Sequence, residues 1–388
     1  MKPINDLMRA SARLVLALIP AVALSMLSPA CAPTNADAAG LANLNEPGSV
    51  IVFPKFQMGT VTVAGNTLPT TEIRVGAVCP SDESASACSH EQVRIFFHWV
   101  CPGMSEGGVP GLCEEVDFTI TTSVNGKVVF SPNGGRISGP SASSPFQTAY
   151  LPPCNSGYLI GWVINPYFQP IRFDGLIGDA VLRITPGTEE SYSAPTIQAD
   201  PGTPEGAALS FPTSSGAIQL LFDGGAGHYQ ELPGQFSSDV MYDSDVKLAF
   251  SHTQLVLLTL NAAVANVNPL TSVLLNFYDS RQDEMASVTA SFFCGEQVKL
   301  PPSPGLTSNF LSKNLTAAYA ASLGATSPEG VVTSGQASQP VVNVTLLALV
   351  ETTSGRSAPG PQKAARSNIY RTFNNPQPVP ATFSAISP

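Results

Sequence analysis

Few side chains in this chain have the types and spacing that chemistry needs. Only four histidines occur in 388 residues. His90 and Glu91, with Arg94 following, begin like a zinc-protease signature, but Arg94 stands where the second histidine ligand belongs. The segment also opens a strand, where the i, i+4 geometry of a helix does not exist. Ser89–His90 and Ser251–His252 are sequence neighbours, and adjacent side chains on a strand point to opposite faces, so neither pair makes a nucleophile and its base. There is no G-x-S-x-G elbow, Walker loop or strand–G-x-G-x-x-G–helix unit, and Gly224–Gly227 reads as a turn. Glu114–Glu115 and Glu189–Glu190 are paired carboxylates at loops and strand ends. Glycoside hydrolysis needs two carboxyls roughly 5–10 Å apart across a cleft, and solvated charge is the ordinary outcome at such positions. Asp239, Asp243 and Asp245, with Asp223 upstream, offer the oxygen ligands that calcium takes, without the glycine and terminal glutamate of an EF-hand loop. Calcium is the one cofactor these residues point to.

Aromatic side chains are a second candidate. Tyr150, Tyr158, Trp162, Tyr167, Phe168 and Phe173 crowd the densest β signal of the chain, Gly157–Thr185. Tyr158, Ile160 and Trp162 share one face of a strand, which makes Trp162 core. Tyr167, Phe168 and Phe173 fall in the connection beside prolines and form a candidate surface for a ligand or partner, because rings give large, rigid contact area at low entropic cost.

The elements that must position these residues are strands. Tyr158–Ile164 and Ile177–Ile184 are apolar runs around a turn-rich connection, a strand–turn–strand signal. In Val93–Cys101, Val93, Ile95, Phe97, Trp99 and Cys101 alternate against Arg94, Phe96 and His98. Glu115–Val124 sets Val116, Phe118, Ile120 and Val124 against Asp117, Thr119, Thr121 and Ser123, as in an antiparallel strand with one wet face. Asn125–Gly126 predicts a hairpin into Lys127–Phe130. Further strands are expected at Ser49–Phe53, Glu72–Cys79, Ala217–Phe222, Gln254–Leu260, Val273–Tyr278, Ser287–Cys294 and Val341–Val350. Ser312–Ser322 predicts one short helix, with a serine cap and Gly324 as its stop. Charged residues make up 12% of the chain, against 32 glycines and 35 prolines. That balance suits short strands and turns. The expected fold is all-β: two antiparallel β-sandwich-like domains over 41–185 and 207–350, a linker or long loop at 186–206, one short helix, and a Pro/Ser-rich extended tail over 351–388.

Residues 1–38 read as a secretory signal peptide: Lys2, Arg9 and Arg13, an apolar stretch from Leu14 to Leu27, then small residues ending at Ala38. Cys31 offers a lipidation site, the one route to a membrane partner that the sequence holds. Lys and Arg number 18 against 28 Asp and Glu, a net charge of −10. That acidity excludes a nucleic-acid partner, which would need a basic face. Beyond Cys31, the cysteines Cys79, Cys88, Cys101, Cys113, Cys154 and Cys294 form an even set suited to disulfides in an oxidising compartment. Sequence proximity predicts Cys79–Cys88 and Cys101–Cys113, leaving Cys154 for Cys294. Zinc is excluded by the lack of any C-x₂-C or H-x₃-H pair.

The segments Ser49–Pro54 (SVIVFP), Gly157–Asn165 (GYLIGWVIN) and Leu176–Ala180 (LIGDA), with Leu255–Leu260 and Val273–Tyr278, resemble exported bacterial β-rich proteins for which no activity is known. The resemblance implies export and β architecture and assigns no residue a role. The functional expectation is a secreted or cell-surface structural or adhesive protein without catalytic activity, partnered by itself or by cell-surface components through strand addition. The alternative is an extracellular carbohydrate-binding protein, with or without hydrolysis, that holds glycans on its aromatic surface.

Overall fold

A computed structural model describes residues 41–80, 92–103, 110–136, 148–185, 188–214, 217–233, 237–241, 250–263, 267–268, 270–278, 284–299, 329–337, 347–355, 370–371, 378–379 and 381–386. The signal segment and the expected helix at Ser312–Ser322 lie outside them. All regular structure among the described residues is strand. In chain order the strands are β1 (Val50–Gln57), β2 (Thr60–Val63), β3 (Asn66–Pro69), β4 (Thr71–Ala77), β5 (Gln92–Val100), β6 (Glu115–Ser123), β7 (Lys127–Phe130), β8 (Gly135–Arg136), β9 (Thr148–Ala149), β10 (Ser156–Ile164), β11 (Leu176–Thr185), β12 (Thr188–Ser193) and β13 (Thr196–Ile197). They continue as β14 (Thr213–Ser214), β15 (Ala217–Phe222), β16 (Leu232–Pro233), β17 (Ser237–Met241), β18 (Phe250–Leu258), β19 (Thr271–Tyr278), β20 (Glu284–Phe292), β21 (Gly295–Lys299), β22 (Glu329–Ala337), β23 (Leu347–Gly355), β24 (Tyr370–Arg371), β25 (Pro378–Val379) and β26 (Ala381–Ile386).

A five-stranded antiparallel sheet, β13-β1-β10-β5-β6, lies at the centre of the first half. One face packs on the four-stranded sheet β12-β11-β4-β7 through Ile51, Phe53, Ile95, Phe97, Leu159 and Val163. Its other face, carrying Val50, Val52, Phe96, Tyr158, Ile160 and Trp162, packs with Ile218, Leu220 and Phe222 of β15 and Phe383 of β26. Both faces are therefore dry, and this explains the unbroken apolar run of β10, which a half-buried strand would not need. Gly161 is required within that run, since a Cβ there would run into the Phe97 ring across the strand pair. The half-solvated β6, at the edge, keeps its alternation instead. A second five-stranded sheet, β20-β19-β22-β17-β24, and a three-stranded sheet, β21-β18-β23, carry the later strands.

Two expected hairpins turn out to be crossings between sheets. β10 pairs with β1 and β5, whereas β11 pairs with β4 and β12, so the aromatic connection passes from one layer of the sandwich to the other. Asn125–Gly126 makes a tight turn, with Asn125 at φ 61° and Gly126 N–H donating to Ser123 O at 2.8 Å. It nevertheless hands β7 to β4 rather than back to β6. Asn125 N–H donates to Ala77 O at the end of β4, drawing the turn across the layers. In both places the strands read correctly, but each found its apolar partner in the opposite sheet.

Ala38–Pro388 forms one compact unit, and the packing crosses the division expected at 186–206. That stretch supplies β12, which pairs with β11, and β13, which pairs with β1. Its remainder is held by Arg172, 7% exposed, which pairs with Asp174 at 3.0 Å and Glu205 at 3.1 Å and donates to the carbonyls of Pro201 and Thr203. Asp174 in turn accepts from Ser49 Oγ at 2.6 Å and from Ala199 N–H at 2.9 Å. A turn-rich composition predicts a linker; buried ion pairs make this one a fastened strap. The expected tail likewise ends in structure, with β26 paired along β15 from Ala217↔Ile386 to Phe222↔Ala381.

Disulfide connectivity differs from the proximity expectation. Cys101 bonds Cys154 and Cys113 bonds Cys294, with Cα atoms 5.9 Å and 6.1 Å apart. Strand β5 runs beside β10, so Cys101 at its end meets Cys154 just before β10 begins. Cys113, at the start of β6, meets the turn between β20 and β21, far away in sequence but adjacent in the core. Cys79 is disulfide-bonded too, while Cys88 lies outside the described residues. These bonds are compatible with an oxidising compartment.

Candidate functional site

The aromatic connection between β10 and β11 is built as a locked turn. Asn165 Oδ1 accepts from Tyr167 N–H at 2.9 Å and Gln169 N–H at 3.0 Å, and its amide donates to Gln169 Oε1 at 2.9 Å. Phe168 N–H closes the turn on Asn165 O at 3.0 Å. The side chains at the tip are thus presented by a small hydrogen-bonded frame. Tyr167 projects with 82% of its surface exposed, and Phe168 is 39% exposed. Phe168 adopts φ 63°, a left-handed conformation that costs a non-glycine residue about 1–2 kcal/mol. Arg94 lies over its ring at 5.9 Å, and Phe96 meets it edge-on at 6.4 Å. The turn thus presents one exposed ring, Tyr167, beside a half-covered ring, Phe168, that carries the Arg94 guanidinium. Phe173 does not join them. It is only 6% exposed and packs in the core with Leu176 and Ile73, because Arg172 and Asp174 beside it turn the chain inward.

A second constellation sits inside the protein. His98 on β5 and Glu115 on β6 bring Nδ1 and Oε2 to 2.6 Å, with the histidine fully buried. The imidazole stacks on Trp162 at 4.6 Å and meets Phe96 edge-on at 4.5 Å. His98 Nε2, Trp162 Nε1 and Tyr158 Oη are buried without a hydrogen-bond partner. Burial, and then the Glu115 charge, push the Tyr158 hydroxyl far above its ordinary value, so it stays neutral. A histidine held by a carboxylate through Nδ1 is two-thirds of a hydrolytic triad. Among the described residues Nε2 meets no nucleophile, and Phe383 of β26 meets the imidazole at 6.4 Å. The pair therefore acts as a polar tie within the core. Sequence alternation places His98 and Glu115 on the face expected to be wet; the covering strand comes from the far end of the chain, so the signal for this pair is the doubly apolar β10 next to it.

His228 Nδ1 and Asp223 Oδ1 make a similar contact at 2.6 Å, on the surface loop after β15. Asp223 also accepts from Gly225 N–H, so the Gly224–Gly227 turn has the local function expected of it. Of the carboxylate pairs, Glu115 is engaged with His98, while Glu190 is buried and Glu189 exposed, on opposite faces of β12. They do not face each other across a cleft. Asp239 lies on β17 opposite Val331, but Asp243 and Asp245 lie outside the described residues, as do His90 and Glu91. Among the described residues, no group of three or more His, Cys, Asp or Glu side chains is placed to hold a metal, and no helix is long and apolar enough to cross a membrane.

No protein-family model and no curated protein matches this chain.

Proposed function

We propose that the protein is an exported structural or adhesive protein without catalytic activity, which associates with itself or with cell-surface components through strand addition. The observation that carries this reading is the last strand. The expected tail ends in an apolar strand, β26, that completes a sheet by edge pairing with β15 and whose Phe383 is fully buried. An apolar strand at a sheet edge is suited to edge addition. The disulfides support residence outside the cytoplasm, and the Cys31 lipid is the route by which a membrane would become a partner. Light scattering and negative-stain microscopy of the secreted protein test the reading: concentration-dependent oligomers or filaments are expected, and a monomer at all concentrations overturns it.

The second reading, glycan binding, is favoured by the fully presented Tyr167 ring on its locked turn. A glycan array separates the two. Specific sugar binding lost in Tyr167→Ala would select the second reading. Calcium held by Asp239, Asp243 and Asp245 belongs to the same proposal, and a melting temperature unchanged between calcium and chelator removes it.

A further inference from the structure

We infer that β26 is an exchangeable strand, and that the partner it fits is β15 of a second copy of this chain; the inference rests on the self-association reading and gives it a donor and an acceptor. β26 sits at the edge of the sheet β14-β15-β26, so it can leave without carrying another strand of that sheet with it. Its pairing with β15 joins residues from the middle of the chain to its end, through no hairpin that would hold the two strands together. The chain from Gly355 to Ala381 holds five prolines and three asparagines and is far longer than the two-to-five-residue loop of a hairpin. Its described contacts are short: β24 pairs with β17, and β25 with β16, over two residues each. A connection of that length lowers the effective concentration of β26 at its own β15 edge, and so favours intrachain pairing less than a hairpin would.

What β26 covers makes an empty place unfavourable. Phe383 is fully buried and meets Trp162 at 6.2 Å and His98 at 6.4 Å. Ala381 and Ala385 fill the same core beside Leu220 and Phe222. On its outer side, Ser384 N–H donates to Ala262 O at 2.9 Å. A chain without its own β26 opens the β15 edge and uncovers the buried His98–Glu115 pair. The β26 of another copy restores every one of these contacts, since sequence and register are the same. Reciprocal exchange closes a dimer, whereas head-to-tail exchange propagates an open chain.

The register supplies the test. Gln219 lies opposite Ser384, and both backbone N–H groups point away from the partner strand, Gln219 to Pro212 O and Ser384 to Ala262 O. This is a non-hydrogen-bonded pair, with Cα atoms about 4.5 Å apart, within the reach of a disulfide. Full-length Gln219→Cys and Ser384→Cys chains are mixed, refolded together and mildly oxidised, and the 219–384 cross-linked peptide is sought by mass spectrometry. In this mixture the link can form only between chains. A covalent dimer carrying it is expected, along with its absence from either variant alone. The double variant Gln219→Cys/Ser384→Cys reports the register itself. The inference is overturned if the double variant links within one chain while the mixture yields no link, or if the double variant yields no link at all. Oligomers by light scattering with an intrachain link would reject strand exchange and leave self-association standing; a monomer throughout rejects both.

Discussion

The ring of Trp162 lies flat on the ring of His98, centroids 4.6 Å apart and planes 9° from parallel. This contact joins β10 to β5 on the face of the central sheet that β26 seals, and it places a polar ring in the middle of an apolar layer. The Glu115 carboxylate, on the neighbouring strand, makes that burial tolerable.

Breaking one side of this tie is expected to cost more than removing both. His98→Leu takes from the Glu115 carboxylate its contact with Nδ1, a loss that typically costs about 1–3 kcal/mol. Adding Glu115→Leu to the same chain is expected to recover much of that loss, because an apolar replacement of both members needs no compensation. Urea midpoints of the two single variants and the double variant check this; a double variant no better than His98→Leu would show that Glu115 is held independently of His98.

The Cys113–Cys294 and Cys101–Cys154 disulfides rank by the loops they close. Cys113 and Cys294 are separated by 181 residues and Cys101 and Cys154 by 53. On the chain-entropy model their removal as serine pairs costs about 5 and about 4 kcal/mol respectively. Non-reducing peptide mapping is expected to recover both links, and a peptide joining Cys101 to Cys113 would contradict the described connectivity. Mapping is also expected to join Cys79 to Cys88, the pairing that proximity predicts.

Arg172 is expected to decide whether the 199–207 strap holds. Arg172→Ala leaves Asp174 and Glu205 facing each other with no cation between them, at a cost of about 3–5 kcal/mol. Limited proteolysis should leave the native strap intact and cut it early in the variant. Equal resistance in both would mean that Ser49 and the backbone hydrogen bonds are sufficient.

Acid is expected to destabilise the fold. The Gly227 N–H first, and then Gly202 N–H, Thr203 and Arg172, outweigh burial to hold the Asp200 carboxyl below its ordinary range. Burial pushes Glu72 up, but the hydrogen bond and charge of Arg74, joined by Arg183, outweigh it and hold that carboxyl low as well. Both groups bind protons more weakly when folded. Their stabilisation is therefore fully present above the ordinary carboxylate value of about 4 and is lost as pH falls through the lower folded values. Urea midpoints between pH 7 and about 2.5 should fall on the acid side, with a shallower fall in Asp200→Asn.

At the aromatic turn, stability and binding are expected to separate. Tyr167→Ala should change stability by no more than about 0.5 kcal/mol, as for other exposed positions. Phe168→Gly relieves the left-handed backbone by about 1–2 kcal/mol and gives up the contacts with Arg94 and Phe96, so a net change near zero or slightly stabilising is expected. Thermal melts check both. A large loss in Phe168→Gly would mean that its ring holds the turn.

Local pattern was enough to determine the long strands of the first half, though not β17, β22 or β26. The alternation of β4 and β6, the apolar run of β10 and the Asn125–Gly126 turn are short-range features, since side chains alternate along any strand and a left-handed turn selects its residues wherever it occurs. The exposure of Tyr167 and the buried place of Trp162 follow from the same local rules. Pairing lay beyond their reach. Which strand lies beside β7 or β11, which cysteine meets Cys113, whether 186–206 is a linker, and whether the His98 face is wet all depend on which distant apolar surfaces cover one another. Phe383 shows the reason most directly: six residues at the end of the chain close the core over His98 and Trp162, and only the packed structure brings them there.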